Sequence, residues 1–299
     1  MPATLDRPQG LADVLLDTDA FNEIDDQFAI AYLLRAGEKL RCRALCAAPF
    51  HNSRSEGPAD GMEKSYHEIL KLLSLMGREE LRPQVFRGSE RWLPDERTPV
   101  DSPAARETVR LAREYTPERP LYAVGIGALT NLASALLLAP EIAENLVVVW
   151  LGGHAPHWEK QDEFNLRGDV AAARAVFRSG VALVQLPCMG VVSSFTTTKP
   201  ELECWLQGQN PVCDYLARNT IEEAESYAHG KPWSRVLWDV TAVAWLLGED
   251  MTRDRAVPRH VPTYAFQYEI QPDLPPMRCV YHVHRDRLME DLFGRLRTQ

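Results

Sequence analysis

Short apolar runs alternate with segments of helical periodicity through most of this chain, and that alternation admits few folds. Residues 14–16, 44–48, 85–87, 121–124, 145–151 and 181–186 read as strands. Between them, residues 25–34, 63–75, 104–115, 129–138 and 170–177 carry apolar side chains at helical spacing. Val147, Val148 and Val149 in succession suit a strand buried on both faces. Repeated strand-then-helix predicts an α/β fold, a mostly parallel sheet wrapped by helices. Residues 201–247 look mostly helical, 263–284 strand-rich, and 285–296 like a closing helix. No linker breaks the alternation and no internal repeat occurs, so residues 1–299 are expected to form a single domain.

Composition excludes several classes. Apolar residues make up 45% and charged residues 25%, ordinary globular values. No apolar run approaches the roughly 18 residues of a membrane span, and residues 1–10 lack a basic-then-apolar signal pattern. A cytoplasmic protein with no membrane partner is the expectation. A net charge of −9 disfavours a general grip on nucleic acid. Six cysteines are expected as free thiols. Cys42 and Cys46 have no second pair at metal spacing. His282 and His284 alternate on one strand face, where a partly exposed surface is the simpler reading than a metal pair.

The densest chemistry is Asp17-Thr18-Asp19-Ala20-Phe21-Asn22-Glu23-Ile24-Asp25-Asp26, at the carboxyl end of the first strand. Five carboxylates in ten residues repel one another unless protons or a cation intervene. A hard divalent ion with oxygen ligands answers that, whereas helix capping needs only one carboxylate. An EF-hand loop is excluded, because Phe21, Asn22 and Phe28 stand where it needs an oxygen donor, a glycine and a glutamate. A phosphatase starting from Asp-x-Asp would need a later lysine and an acidic pair, for which Gly168-Asp169 is a poor candidate.

The cluster resembles the Asp-x-Asp-Pro-Gly-x-Asp-Asp signature of the inosine/uridine-type nucleoside hydrolases, without Pro-Gly and with two extra residues. Other segments match that family in order. Residues 47–52, ending in Asn52, resemble its second-strand loop. Gly125-Ile126-Gly127-Ala128-Leu129-Thr130-Asn131 resembles its Gly-Pro-Leu-Thr-Asn turn. Leu151-Gly152-Gly153 and Glu163-Phe164-Asn165 resemble Met-Gly-Gly and Glu-Phe-Asn, and Trp238-Asp239 with Ala242 and Ala244 resembles a late His-Asp-Pro-x-Ala-x-Ala. The resemblance implies a Rossmann-like nucleoside hydrolase fold, a bound calcium (Ca2+), a small nucleoside or riboside substrate, and a homodimer or homotetramer. By position, it implies metal ligands Asp19, Asp26, Asp239 and the carbonyl of Ile126. Asp19 would also be the general base. Asp25, Asn52, Glu163 and Asn165 would bind the sugar, over a floor at Leu151.

Two departures bear on the substrate. Trp238 stands where the pyrimidine-active branch has a histidine acid, and a tryptophan there resembles the purine-preferring branch. Trp238 is therefore expected to stack on a purine; a core aromatic is the competing reading. The expansion at Phe21, Asn22 and Glu23 leaves another N-riboside, or a ribose- or metabolite-binding protein without turnover, as alternatives. His154, His157 and His51 are candidates for the missing acid, against plain loop residues. Trp92, in the long loop 87–102, is a candidate lid over the base.

Overall fold

The computed structural model describes residues 3–298. In chain order the first half runs β1 (Ala12–Thr18), α1 (Asp25–Arg35), β2 (Leu40–Ala47), α2 (Pro58–Leu75), β3 (Val85–Arg87), α3 (Pro103–Ala112), β4 (Leu121–Gly125), α4 (Thr130–Leu138) and β5 (Leu146–Leu151). It continues with α5 (Phe164–Gly168), α6 (Val170–Arg178), β6 (Ala182–Leu186), β7 (Thr196–Thr197), α7 (Lys199–Trp205), α8 (Pro211–Ala228) and β8 (Arg235–Val236). The last part is α9 (Val240–Leu247), β9 (Thr252–Val257), β10 (His260–Pro262), β11 (Tyr268–Ile270), β12 (Met277–Val283) and α10 (Arg285–Leu296).

Eight strands form one sheet in the order β3-β2-β1-β4-β5-β6-β12-β9 among the described residues. Every pairing is parallel except β12 with β9 at the edge. The α/β expectation therefore holds. Winding reverses between β1 and β4, and ligands of open α/β sheets bind outside the carboxyl ends of the strands at such a switch point. Asp17 pairs with Gly125 at that point, and the Ile126 N–H donates to the Asp17 carbonyl at 2.9 Å. The acidic segment and the 125–131 turn thus leave the sheet side by side.

Alternation along each strand sends neighbours to opposite faces. Val14, Leu16, Val147 and Val149 pack under α1, α2, α8, α9 and α10. Leu15, Val148 and Trp150 pack under α3, α4 and α6. Among the described residues no helix is long and apolar enough to cross a membrane.

Two boundaries differ from expectation. Helix α2 begins at Pro58, after the extended Gly57, because proline suits the first turn of a helix. The edge strand β9 is not anticipated; its sequence Thr-Arg-Asp-Arg-Ala-Val is mostly solvent-facing and carries no apolar alternation. All six cysteines are free, and Cys204 is the exposed one. The His282 and His284 rings lie 4.5 Å apart, but no third ligand closes a metal group around them among the described residues.

Arg259 is fully buried and donates only to main-chain carbonyls: Pro275 at 2.8 Å, Phe177 at 3.2 Å, Val181 at 2.9 Å and Pro276 at 3.5 Å. It ties the segment carrying β10 and β11 to the body of the sheet. Arg259→Met strands these acceptors in a dry interior, and is expected to lower unfolding free energy by about 3 kcal/mol or more. Urea denaturation checks this; a change below about 1 kcal/mol means the carbonyls find other donors.

Candidate active site

The C-terminal ends of β1, β4, β5 and β6 surround a cavity of about 240 Å³. Its lining includes Asp19, Asp25, Asp26, Ile126, Leu151, Glu163, Asn165, Trp238 and Asp239, nine of the ten residues singled out from sequence. Asn52 is the exception. Its amide donates to Asn22 Oδ1 at 2.7 Å, and Asn22 lines the cavity in its place. Asn52 thus stands behind Asn22, which belongs to the two-residue expansion.

Helix α1 presents Asp25 and Asp26 in its first turn, where its dipole favours carboxylates. Asp239 precedes α9 and meets them from the far side, its N–H donating to Asp25 Oδ2 at 3.4 Å. Asp25, Asp26 and Asp239 each bring one oxygen within 4.8 Å of the others. Among the described residues this is the only His, Cys, Asp or Glu group able to close on one ion. Asp26 also faces Asp19 and accepts from the Thr18 hydroxyl at 2.5 Å. Both oxygens of Asp19 and Oδ1 of Asp25 are buried without a hydrogen-bond partner. Buried polar atoms are normally satisfied, so orphaned carboxylate oxygens lining one cavity with this group fit a bound cation, although Asp19 itself stands outside the group of three. An all-oxygen donor set suits a hard ion such as calcium.

Burial, and then Glu23, push the Asp25 carboxyl up to about 8, and burial raises Asp26 to about 7. Asp19 and Asp239 are raised well above the usual range by burial, and then by neighbouring carboxylates. Asp17 does not line the cup. Burial lifts it to about 7, while the Asn131 amide, 2.8 Å away, pulls the other way.

Glu163 is held as a clamp. Its carboxylate accepts from the N–H groups of Asn165 (2.9 Å), Leu166 (3.0 Å) and Gly153 (2.9 Å), capping α5 and gripping the 152–153 turn. The Asn165 amide donates to the carbonyls of Ile126 and Leu151, each at 3.1 Å. That leaves its Oδ1 as the polar atom available to a ligand. His154 lines the cup and His157 does not. His154 Nδ1 accepts from the Met189 N–H at 3.3 Å, so its ring is neutral with the proton on Nε2. Burial lowers its pKa further below the ordinary value.

A second cleft of about 170 Å³ meets the cup at Asp19 and Phe164, walled by Phe50, His51, Trp92 and Arg167. The loop bearing Trp92 is fastened rather than free. Ser89 donates to Asn131 Oδ1 from N–H (2.8 Å) and hydroxyl (2.9 Å), Leu93 N–H to Asp169 Oδ2 (2.9 Å), and Val100 N–H to Ser134 Oγ (3.1 Å). Gly88 is required where this loop leaves the sheet, since a Cβ there would lie 2.0 Å from the Ala47 carbonyl oxygen. Trp92 is thus a fixed wall.

Sequence reasoning missed a buried brace behind the cup. The Gln185 amide donates to the Gly152 carbonyl (2.9 Å) and the Tyr268 hydroxyl (2.6 Å), while His260 Nε2 contacts Gln185 Oε1 at 2.7 Å. Gly153, at φ +67°, passes so close that a Cβ would lie 2.2 Å from the Tyr268 oxygen. Cys188, Met189 and Asp162 also line the cup. No local pattern marks these residues, because their partners are far apart in sequence.

A family model described as inosine-uridine preferring nucleoside hydrolase matches residues 14–289. The chain belongs to this family. Curated relatives include the non-specific ribonucleoside hydrolase RihC of Escherichia coli (strain SMS-3-5 / SECEC), 31% identical over 159 residues. That match covers 52% of this chain and 50% of RihC, so it spans about half the length of that relative. The pyrimidine-specific ribonucleoside hydrolase RihA of Enterobacter sp. (strain 638) is 26% identical over 277 residues, 82% of each chain. Among solved structures, the plant nucleoside hydrolase PpNRh1 superposes with a TM-score of 0.77 at 21% identity, covering 96% of this chain and 99% of that one. A purine-preferring ribonucleoside hydrolase from Gardnerella vaginalis gives 0.77 at 18% identity, covering 95% and 98%. The expected family and fold are thereby met. The named relatives are N-glycosyl hydrolases, and their names span non-specific, pyrimidine-specific and purine-preferring enzymes.

Proposed function

We propose that this member hydrolyses the N-glycosidic bond of a ribonucleoside, with calcium in the carboxylate cup and purine nucleosides preferred. The observation that carries the reading is the set of orphaned, buried oxygens of Asp19 and Asp25 beside Asp26 and Asp239. Asp26 and Asp239, which with Asp25 bring oxygens within 4.8 Å of one another, would hold the ion together with Asp19 and the Ile126 carbonyl, which line the same cavity. Bound there, calcium would supply a site for a water and for the vicinal hydroxyls of ribose.

The side chains do the rest. Asp19 takes the proton of the attacking water. Asp25, Glu163 and Asn165 Oδ1 accept from the sugar hydroxyls, and Leu151 floors the ring. Cleavage builds positive charge on the ribosyl ring, and the surrounding carboxylates stabilise it without reorganising. Asn52 acts through Asn22. The Trp238 indole N–H is far too weak an acid to protonate the leaving base, so Trp238 holds that base by its face.

The test is hydrolysis of inosine, adenosine, guanosine, uridine and cytidine by calcium-loaded protein, with chromatography for free base. Purine release well above pyrimidine release supports the reading. Trp238→Ala is expected to lower kcat/KM for purines about tenfold and to narrow the purine–pyrimidine gap, one stacking contact being worth about 1–3 kcal/mol. Equal loss for both classes would make Trp238 a packing residue.

A second reading, hydrolysis of a larger N-riboside, is favoured by the Phe50–Trp92–Phe164 cleft that opens beside Asp19. Ribosides with extended aglycones in the same panel decide between the two.

A further inference from the structure

The expansion that separates this chain from the family signature brings a carboxylate to the cup that the proposed chemistry does not use. Asn22 N–H donates to the Asp19 carbonyl at 2.7 Å, closing a tight turn that carries Glu23 to the cavity lining. Glu23 joins a wall already holding Asp19, Asp25, Asp26 and Asp239, and like charges would turn a free side chain outward. Arg235 opposes that. Its Nη2 lies 2.6 Å from Glu23 Oε2, and the arginine side chain is only 14% exposed. Glu223, which also pairs with Arg54 at 2.9 Å, stands behind the guanidinium at 3.7 Å. An exposed ion pair alone contributes little. This one instead fixes the direction of a carboxylate that half faces solvent and half faces the cup.

We propose that Glu23 is a specificity-determining residue that reads hydrogen-bond donors on the edge of the purine, with Arg235 as its positioning residue. The inference rests on the nucleoside reading above. A carboxylate only accepts, and Oε2 is engaged by Arg235, so the free acceptor sites of Glu23 select a donor on the ligand. The sugar hydroxyls already have Asp25, Glu163 and Asn165. Glu23 and Trp238 line the same cavity, and Arg235 lies three residues before Trp238 on one chain segment, so a base held by Trp238 and the carboxylate held by Arg235 share one cup. Guanine offers a ring N–H and an adjacent amino group, so Oε1 accepts one donor while the second acceptor site of Oε2, which still holds Arg235, accepts the other. Hypoxanthine offers the ring N–H alone. Adenine sets a ring-nitrogen lone pair beside its amino group, and that lone pair repels Glu23. The order is therefore guanosine, then inosine, then adenosine.

The experiment measures kcat/KM for these three nucleosides with wild type, Glu23→Gln, Arg235→Met and Arg235→Lys. Wild type is expected to favour guanosine over inosine about tenfold, the effect of one hydrogen bond to a charged group. Glu23→Gln and Arg235→Met are expected to bring that ratio near one, and Arg235→Lys to restore part of it. A clip that only steadies the fold lowers all three nucleosides together and leaves the ratio unchanged; that result overturns the proposal. Calorimetric binding of 9-methylguanine and 9-methylhypoxanthine, which carry no ribose, reads the same ratio without turnover. If no nucleoside is hydrolysed, the hydrolase reading fails, and a preference for 9-methylguanine lost in Glu23→Gln still supports the assignment of Glu23. Equal binding of the two bases overturns it.

Discussion

With Asp19 as the proposed base, Asp19→Asn is expected to lower kcat about a thousandfold or more, because an amide oxygen cannot take the water's proton and is a weaker, uncharged ligand. A thousandfold corresponds to about 4 kcal/mol of barrier. The substitution keeps the shape of the side chain and deletes its charge from a wall where both oxygens are buried and unpartnered. Charge repulsion with Asp26 falls, so the folded state should be no less stable than wild type without cation. That separates it from a folding defect: circular dichroism and Tm hold while turnover and calorimetric calcium binding fall together. Activity within tenfold of wild type would remove Asp19 from the mechanism.

The second large effect is on stability. Burial raises the carboxyls of Asp17, Asp25 and Asp26 to about 7, 8 and 7, and holds Asp19 and Asp239 well above the usual range. The same groups titrate near 4 when unfolded. Without a cation the folded state therefore binds more protons than the unfolded one between about pH 4 and pH 8. Stability is highest below that window and falls as pH rises through it, at about 1.4 kcal/mol per pH unit for each proton held. With calcium bound the carboxylates stay ionised in the fold and the loss is offset. Thermal unfolding at pH 5, 6, 7 and 8, with calcium and with chelator, should give a Tm gap that widens with pH. A chelated Tm that is flat or rises with pH would mean that the cup does not hold strained carboxylates.

Much of this molecule is legible locally. The helix and strand periods of residues 14–186 are written in short windows, and the parallel sheet follows from their alternation. The cup is legible because its residues sit at strand ends, where an α/β sheet gathers ligands, and because Asp19 through Asp26 is one short segment. What the sequence hides is long-range. Glu23 and Arg235 are 212 residues apart, and Gln185 and Tyr268 are 83 apart. Nothing near Arg235 marks it as the partner of an insertion in the first loop. Asn52 is hard to place for the same reason: the partner of its amide, Asn22, is 30 residues away. Strand β9 pairs on one side only, so solvent rather than a core sets its composition.

In the proposed reaction the carboxylate cup breaks an N-glycosidic bond with the help of a bound cation. The direct measurement is a time course of inosine with calcium-loaded protein and with the same protein after chelation, following hypoxanthine and ribose. Equimolar base and free ribose are expected from the loaded protein, with a rate at least a hundredfold lower after chelation and recovery when calcium is returned. Calcium-loaded protein that binds inosine yet releases no base over hours would contradict it.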